Sequence, residues 1–203
     1  MNYQNELKKL INSLDYKPTL LLHSCCGPCS TQVLSYLAPY FDITVLYYNP
    51  NIEPKEEYEK RKSEQIRFIK EFNHNIKFMD CDYDNKTYRC RVKGLEKERE
   101  GKARCPVCFM LRMEYTATLA KEKNFEYFGT TLTVSPHKNS KQINILGGIL
   151  EKRLGVKYLY SDFKKEDVYK RSIEYSKVYN LYRQDYCGCL FSKENNQKYL
   201  EYF

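Results

Sequence analysis

The residues with most chemistry to offer are nine cysteines in a chain of 203. Cys25-Cys26-Gly27-Pro28-Cys29 forms an early group, Cys105-Pro106-Val107-Cys108 a middle one and Cys187-Gly188-Cys189 a late one. Cys81 and Cys90 lie between the groups and receive no role. A cytosolic fold rarely needs so many thiols for packing, and clustering points to metal or redox chemistry. Soft thiolates suit zinc, copper(I) or iron–sulfur clusters. Cys25, Cys26, Cys105 and Cys108 together supply enough thiolates for a tetrahedral zinc or a four-iron cluster. Adjacent cysteines argue against a structural zinc knuckle, whose paired ligands stand about two to four residues apart. They can, however, ligate different irons of one cluster. The set reads as an iron–sulfur enzyme, with a zinc-stabilised nucleic-acid-binding module and inert buried thiols as the alternatives.

Two other pairs raise redox chemistry. Cys26-Gly27-Pro28-Cys29, after a strand and opening a helix, is the active-site pattern of thioredoxin-like thiol–disulfide oxidoreductases. That fold would also set a cis-proline opposite the motif, and no proline occurs between Pro54 and Pro106. Cys25 also fits such a site poorly, so this reading ranks second. Cys187-Gly188-Cys189 allows only a small, strained disulfide ring, and strained disulfides are the labile, oxidising ones. Gly188 permits the backbone distortion the ring requires.

The elements that must position these thiols alternate between strand and helix. Short apolar runs at 19–23, 43–48, 76–79, 126–129 and 157–160 read as strands. Helices are expected at about 29–37, 55–72, 107–123, 135–154 and 166–179, with a short one at the C-terminus. Tyr58, Ile66, Ile69 and Phe72 approximate a helical stripe in the second of these, although its middle is polar. Ser135-Pro136 places proline near the favoured first helical position. Residues 83–104 look irregular, with a short helix near 88–97. This alternation predicts an α/β fold with a parallel sheet covered by helices on both faces. Sites in such sheets lie at the carboxyl ends of strands, where His23-Ser24-Cys25-Cys26 falls.

One domain is expected over 1–203, with a cysteine-bearing insertion at about 81–108 and a redox loop at about 181–191. The first eighteen residues are charged throughout and lack an apolar leader stretch. The apolar runs fall far short of the roughly 20 residues of a membrane span. A soluble, cytoplasmic protein with no membrane partner is therefore expected. A formal charge of +8 and twenty tyrosines suit a polyanion such as nucleic acid.

Six segments carry a family resemblance. They are His23-Ser24-Cys25-Cys26-Gly27-Pro28-Cys29, Tyr48-Asn49-Pro50-Asn51-Ile52 and Arg104-Cys105-x-x-Cys108-Phe109, then the run 130–138 with Ser135, His137 and Lys138. Asp162-Phe163-Lys164-Lys165 and Leu181-Tyr182-Arg183-Gln184-Asp185-Tyr186-Cys187-Gly188-Cys189 complete the series. In that order, over about 19–193, the chain resembles the cobalamin-independent epoxyqueuosine reductases. The resemblance implies a Rossmann-like sheet similar to the adenine nucleotide α-hydrolases. It implies reduction of epoxyqueuosine to queuosine at the wobble position of a tRNA anticodon, with electrons from an unidentified donor. It also implies a 4Fe-4S cluster on Cys25, Cys26, Cys105 and Cys108, and a redox-active Cys187/Cys189 pair. An additional iron is implied beside the cluster, for which Cys29, Asp84 and the terminal dithiol are candidate ligands.

Removing an epoxide oxygen to leave an alkene needs two electrons and two protons. A metal polarising that oxygen, a cluster passing electrons singly and a dithiol replenishing them would meet the need. His23, Asp185 and Tyr186 are the candidate proton donors. Ser135, His137 and Lys138 suit an anion at a helix start. Lys164, Lys165, Arg171 and Arg183 are candidates for tRNA backbone contacts.

Overall fold

In the computed structural model, which describes residues 2–72, 74–165 and 168–193, five parallel strands carry the molecule. They are β1 (Thr19–His23), β2 (Asp42–Leu46), β3 (Lys77–Met79), β4 (Tyr127–Thr130) and β5 (Lys157–Tyr158), in the order β3-β2-β1-β4-β5. Successive side chains of a strand point to opposite faces. Leu20 and Leu22 of β1 accordingly enter one core and Leu21 the other. A central parallel strand buried on both faces reads as a continuous apolar run, which is why Leu20-Leu21-Leu22 shows no alternation.

The first core is closed by α1 (Tyr3–Asn12), α2 (Gly27–Leu37), α3 (Lys55–Phe72) and α7 (Val168–Val178), through Leu7, Val33, Phe68 and Val168. The second lies under α5 (Arg104–Glu122) and α6 (Ser140–Leu154), through Leu111, Met113, Ile143 and Leu150. A short α4 (Asn85–Arg91) precedes α5. Register then does the positioning. His23 pairs with Leu46 on one side and Thr130 on the other, so β1, β2 and β4 end at one level. The chain order reverses between β1 and β4, the switch point at which open α/β sheets bind ligands.

Several boundaries depart from expectation for local reasons. Helix α1 forms where the sequence looked only charged, because Leu7 and Ile11 share a buried face and Asn2 caps its start. Helix α6 begins at Ser140 rather than 135, capped by Asn139 Oδ1 on the amide of Gln142 at 3.1 Å. Thr131–Val134 is a 3₁₀ turn, and Pro136 sits in the exposed loop between the two. Helix α4 lies a few residues earlier than expected because Asp84 caps it, and Gly94, at φ +86°, follows soon after its end. Helix α5 begins at Arg104 rather than 107, so Cys105 joins Cys108 within the helix. Residues 190–193 are helical, and the rest of the expected terminal helix, with residues 166 and 167 of α7's expected start, lies outside the described residues. No helix of the described residues is long and apolar enough to cross a membrane.

Candidate metal centre and dithiol site

The segments that follow β1 and β4 meet at a cavity of about 480 Å³, lined by Cys25, Cys29, Arg112, Lys138, Asp185 and Cys187 among others. Cys25 follows the end of β1, and its amide donates to Thr131 Oγ1 at 3.3 Å. Cys26 caps α2, its sulfur accepting the amide of Cys29 at 3.4 Å. The helix cap thus turns Cys29 back beside Cys26, with their sulfurs 2.6 Å apart. The sulfurs of Cys25, Cys26 and Cys29 all lie within 4.8 Å of one another, a spacing that can hold a metal ion. The three thiols share protons unequally. Hydrogen bonds from Cys26 and Cys29 pull Cys25 well below its ordinary pKa, aided by the Lys138 charge. Burial pushes Cys26 up to about 12. The trio is therefore poised to present a thiolate before any ligand arrives.

A second thiol group borders the same space. Cys105 accepts the amide of Gly101 at 3.1 Å and lines a small adjoining cavity with His137, Lys138 and Cys187. Cys108, one turn on, is buried and pushed up to about 12 by desolvation, with Cys187, Cys189 and Cys105 adding to the rise. The Tyr88 hydroxyl donates to the sulfur of Cys189 at 3.0 Å. Sequence reasoning joined Cys105 and Cys108 to Cys25 and Cys26. The structure places Cys29 in the early trio, and the later pair among the electrostatic neighbours of the Cys187/Cys189 dithiol.

The dithiol loop hangs on α3. Arg61 is 2 % exposed and ion-paired to Glu57 at 2.6 Å. It donates to the carbonyls of Tyr186 (3.3 Å) and Cys187 (3.4 Å), and stacks on the Tyr186 ring. Glu53 N donates to the carbonyl of Gly188 at 2.9 Å. Gly188 has φ +113°, and a Cβ there would stand 2.8 Å from Ile52. Only glycine suits both conditions. Gln184 Nε2 lies 3.1 Å from the sulfur of Cys26, tying the loop to the early trio.

The remaining candidates divide. His23 is fully buried, its ring nitrogens engaged with Thr130 Oγ1 (2.9 Å) and the Tyr48 carbonyl (3.1 Å). Burial lowers its pKa to about 3, so it stays neutral and braces two strand ends. Asp84 is occupied by capping α4 and is not among the residues lining the cavity. Asp185 is exposed at the cavity, while the Tyr186 hydroxyl donates to the Glu53 carbonyl. Lys138 faces inward rather than outward. Burial alone would lower its pKa, but Cys187, Cys25 and Cys29 raise it, so it remains a cation. Lys164 donates to the Lys138 carbonyl and Lys165 to Asn2 Oδ1 (3.1 Å), so both have internal partners. Arg183 is exposed and reaches Ser176 Oγ at 3.0 Å, and His137 is exposed.

Arg61, Arg112, Gln184 and Tyr88 were not foreseen. The polar middle of α3 was the one available signal, because a buried Arg61 and Gln65 there face the site rather than solvent. Arg112 lines the cavity, 1 % exposed, with one guanidinium nitrogen unpartnered. A buried charge of that kind, amid soft thiols, fits an anionic iron–sulfur centre.

The family model described as epoxyqueuosine reductase QueH matches residues 20–195. The chain is 44% identical to the epoxyqueuosine reductase QueH of Streptococcus pyogenes serotype M1 over 191 residues, covering 92% of this chain and 75% of that one. It is 35% identical to the Thermotoga maritima protein of the same name over 185 residues, covering 90% and 95%. Among solved structures it is similar to the U34-tRNA thiolase NcsA from Methanococcus maripaludis with its [4Fe-4S] cluster. The TM-score is 0.56 at 13% identity, over 95% of this chain and 68% of the other, which establishes a shared Rossmann-like fold. With the family model spanning nearly all of the described chain, the protein belongs to the epoxyqueuosine reductase QueH family.

Proposed function

We propose that the protein reduces epoxyqueuosine to queuosine in tRNA, using an iron–sulfur cluster and the Cys187/Cys189 dithiol. The observation that carries the reading is the meeting of Cys25 and Cys29 of the early trio, Cys187, Arg112 and Lys138 at one cavity, in a chain of this family. The reaction balances on the chain's own groups. Two C–O bonds of the epoxide break, an alkene forms, and the oxygen leaves as water with two electrons and two protons. Closing Cys187 and Cys189 to a disulfide releases two electrons and two protons, and an external donor then reopens it. A cluster on Cys25, Cys26, Cys105 and Cys108 supplies one-electron steps when bound.

Lys138 Nζ, kept protonated at the cavity, can give a proton to an epoxide oxygen bound there. Asp185, at the cavity and exposed, can return that proton from solvent. His23 takes no proton in this scheme and holds the strand ends. An additional iron would find Cys29 available, but Asp84 does not fit as its ligand, so no step runs through a second metal. Arg183 and His137 at the cavity suit the tRNA backbone. A soluble cytoplasmic setting accords with these roles.

Anaerobic reconstitution with iron and sulfide tests the reading, followed by incubation with epoxyqueuosine-containing tRNA and a reductant. The expected result is a brown protein with broad absorption near ~400 nm, and a released nucleoside lighter by one oxygen. Cys105→Ala should lose the absorption. A colourless protein holding one zinc would favour the nucleic-acid-binding module. A metal-free protein that reduces disulfides would favour a thiol oxidoreductase on Cys26 and Cys29.

A further inference from the structure

Three arginines are almost completely buried: Arg61, Arg104 and Arg112, each at 1 or 2 % exposure. Two of them are well partnered. Arg61 has Glu57 and two loop carbonyls. Arg104 donates to the carbonyls of Leu95, Glu96 and Glu98 and to Ser192 Oγ. Arg112 differs. Its Nε reaches the Cys108 carbonyl at 3.3 Å and its Nη1 reaches Asn49 Oδ1 at a long 3.5 Å, while Nη2 has no partner. A buried guanidinium is costly unless an opposite charge and full hydrogen bonding compensate it. The groups acting on it most strongly are the thiols of Cys108, Cys187 and Cys25 and the phenol of Tyr88. Those thiols come from both cysteine groups, so Arg112 stands electrostatically between them.

Asn49 shows that the placement is held rather than incidental. Its Nδ2 donates to the Ser24 carbonyl at 2.8 Å, which leaves Oδ1 to face the guanidinium. Ser24 immediately precedes Cys25, so one side chain links the early trio's loop to Arg112. We infer that Arg112 is the fixed counter-charge of the iron–sulfur centre, raising its reduction potential and thereby easing electron entry. The inference rests on the cluster reading given above. Net charge and hydrogen bonds to sulfur are among the properties that set the potentials of such centres. A cation in a poorly solvated site favours the more negative, reduced form. Its unpartnered Nη2 is the donor available to a cluster or cysteine sulfur.

The test compares reconstituted wild-type protein with Arg112→Gln, Arg112→Lys and Asn49→Asp in an anaerobic potential titration followed by electron paramagnetic resonance. At the wild-type midpoint, Arg112→Gln should show an about tenfold lower reduced-to-oxidised ratio, a fall of about 59 mV for a one-electron couple. Arg112→Lys should stay near wild type. Asn49→Asp, which leaves the guanidinium in place and sets a carboxylate against it, should fall in the same direction as Arg112→Gln. If Arg112→Gln does not fold, Asn49→Asp decides by the same criterion. Loss of iron in folded Arg112→Gln with retention in Arg112→Lys would also support the counter-charge. An unchanged potential in the neutral variant, or an equal fall in Arg112→Lys, would overturn it while leaving the cluster reading intact. A wild-type protein that binds no cluster would instead overturn the cluster reading itself.

Discussion

The early thiols and the late dithiol meet one cavity, through Cys25, Cys29 and Cys187, but are held by different means. Cys25, Cys26 and Cys29 are placed by main chain: a strand register shared with β2 and β4, then a helix cap. Cys187 and Cys189 are placed by side chains of α3 and α4 that grip a loop, through Arg61, Glu57 and Tyr88. Metal ligands should hold one geometry through turnover. A dithiol that closes to a ring must change its own. The fold gives the rigid frame to the first and a releasable strap to the second.

Four substitutions would break or sharpen that contrast. The largest effect is expected for Cys26→Ser, which removes a thiolate ligand while its hydroxyl can still cap α2. It should abolish the reconstituted cluster absorption and all reduction of the modified tRNA. Next comes Arg61→Met, which leaves Glu57 without its cationic partner and with only the Tyr182 hydroxyl. Breaking a largely buried pair costs about 3 kcal/mol, read as a lower denaturation midpoint, and Cys187 should alkylate faster while reconstituted iron content holds. Gly188→Ala follows. Forcing alanine into φ +113° against Ile52 costs about 1–3 kcal/mol. Dithiol-driven turnover should fall more than turnover driven by a strong chemical reductant of the cluster. The smallest is Gln184→Ala, worth about 1 kcal/mol as one hydrogen bond. It should leave the absorption in place and modestly slow turnover. Should Arg61→Met strip the iron as thoroughly as Cys26→Ser, the strap and the frame would be one unit and the contrast would fail.

A pH profile adds a check on the frame. His23 has a folded pKa near 3, depressed by burial, against an ordinary value near 6.5. Above 6.5 neither state binds the proton and the stabilisation is whole. As pH falls towards 3 the unfolded chain takes up the proton and the folded one does not, so stability declines. His23→Gln should flatten that decline in apo-protein denaturation, without moving the stability above pH 7 by the same slope.

Much of the architecture was legible because strands announce themselves. Leu20-Leu21-Leu22 and Ile43-Thr44-Val45-Leu46 are too apolar and too short for anything but buried parallel strands, and 55–72 was found to the residue. Helix α1 was missed because its few apolar positions are diluted by lysine and glutamate. The start of α6 was misjudged because Pro136 is as much at home in a turn as at a helix start. The thiols were legible, since nothing else explains their spacing. Their partners were not: arginine in a sequence reads as surface, and only packing shows that Arg61 and Arg112 lie inside. Lys138 reads as an anion contact and lines the cavity with the thiols, and Asp84 reads as a candidate ligand whose carboxylate caps α4. Charge type is visible in a sequence, but the direction a charge faces is set by neighbours distant along the chain.

The strap has a consequence for the order in which the molecule is made. Residues 181–188, which grip α3 and reach Cys26 through Gln184, are synthesised after every strand of the sheet. Chains emerge and fold from the N-terminal side. During translation the early trio is therefore formed beside a cavity whose wall from 183 to 187 has yet to arrive. In that interval Cys25 and Cys29 lack the cover that residues 183–187 give them in the finished fold.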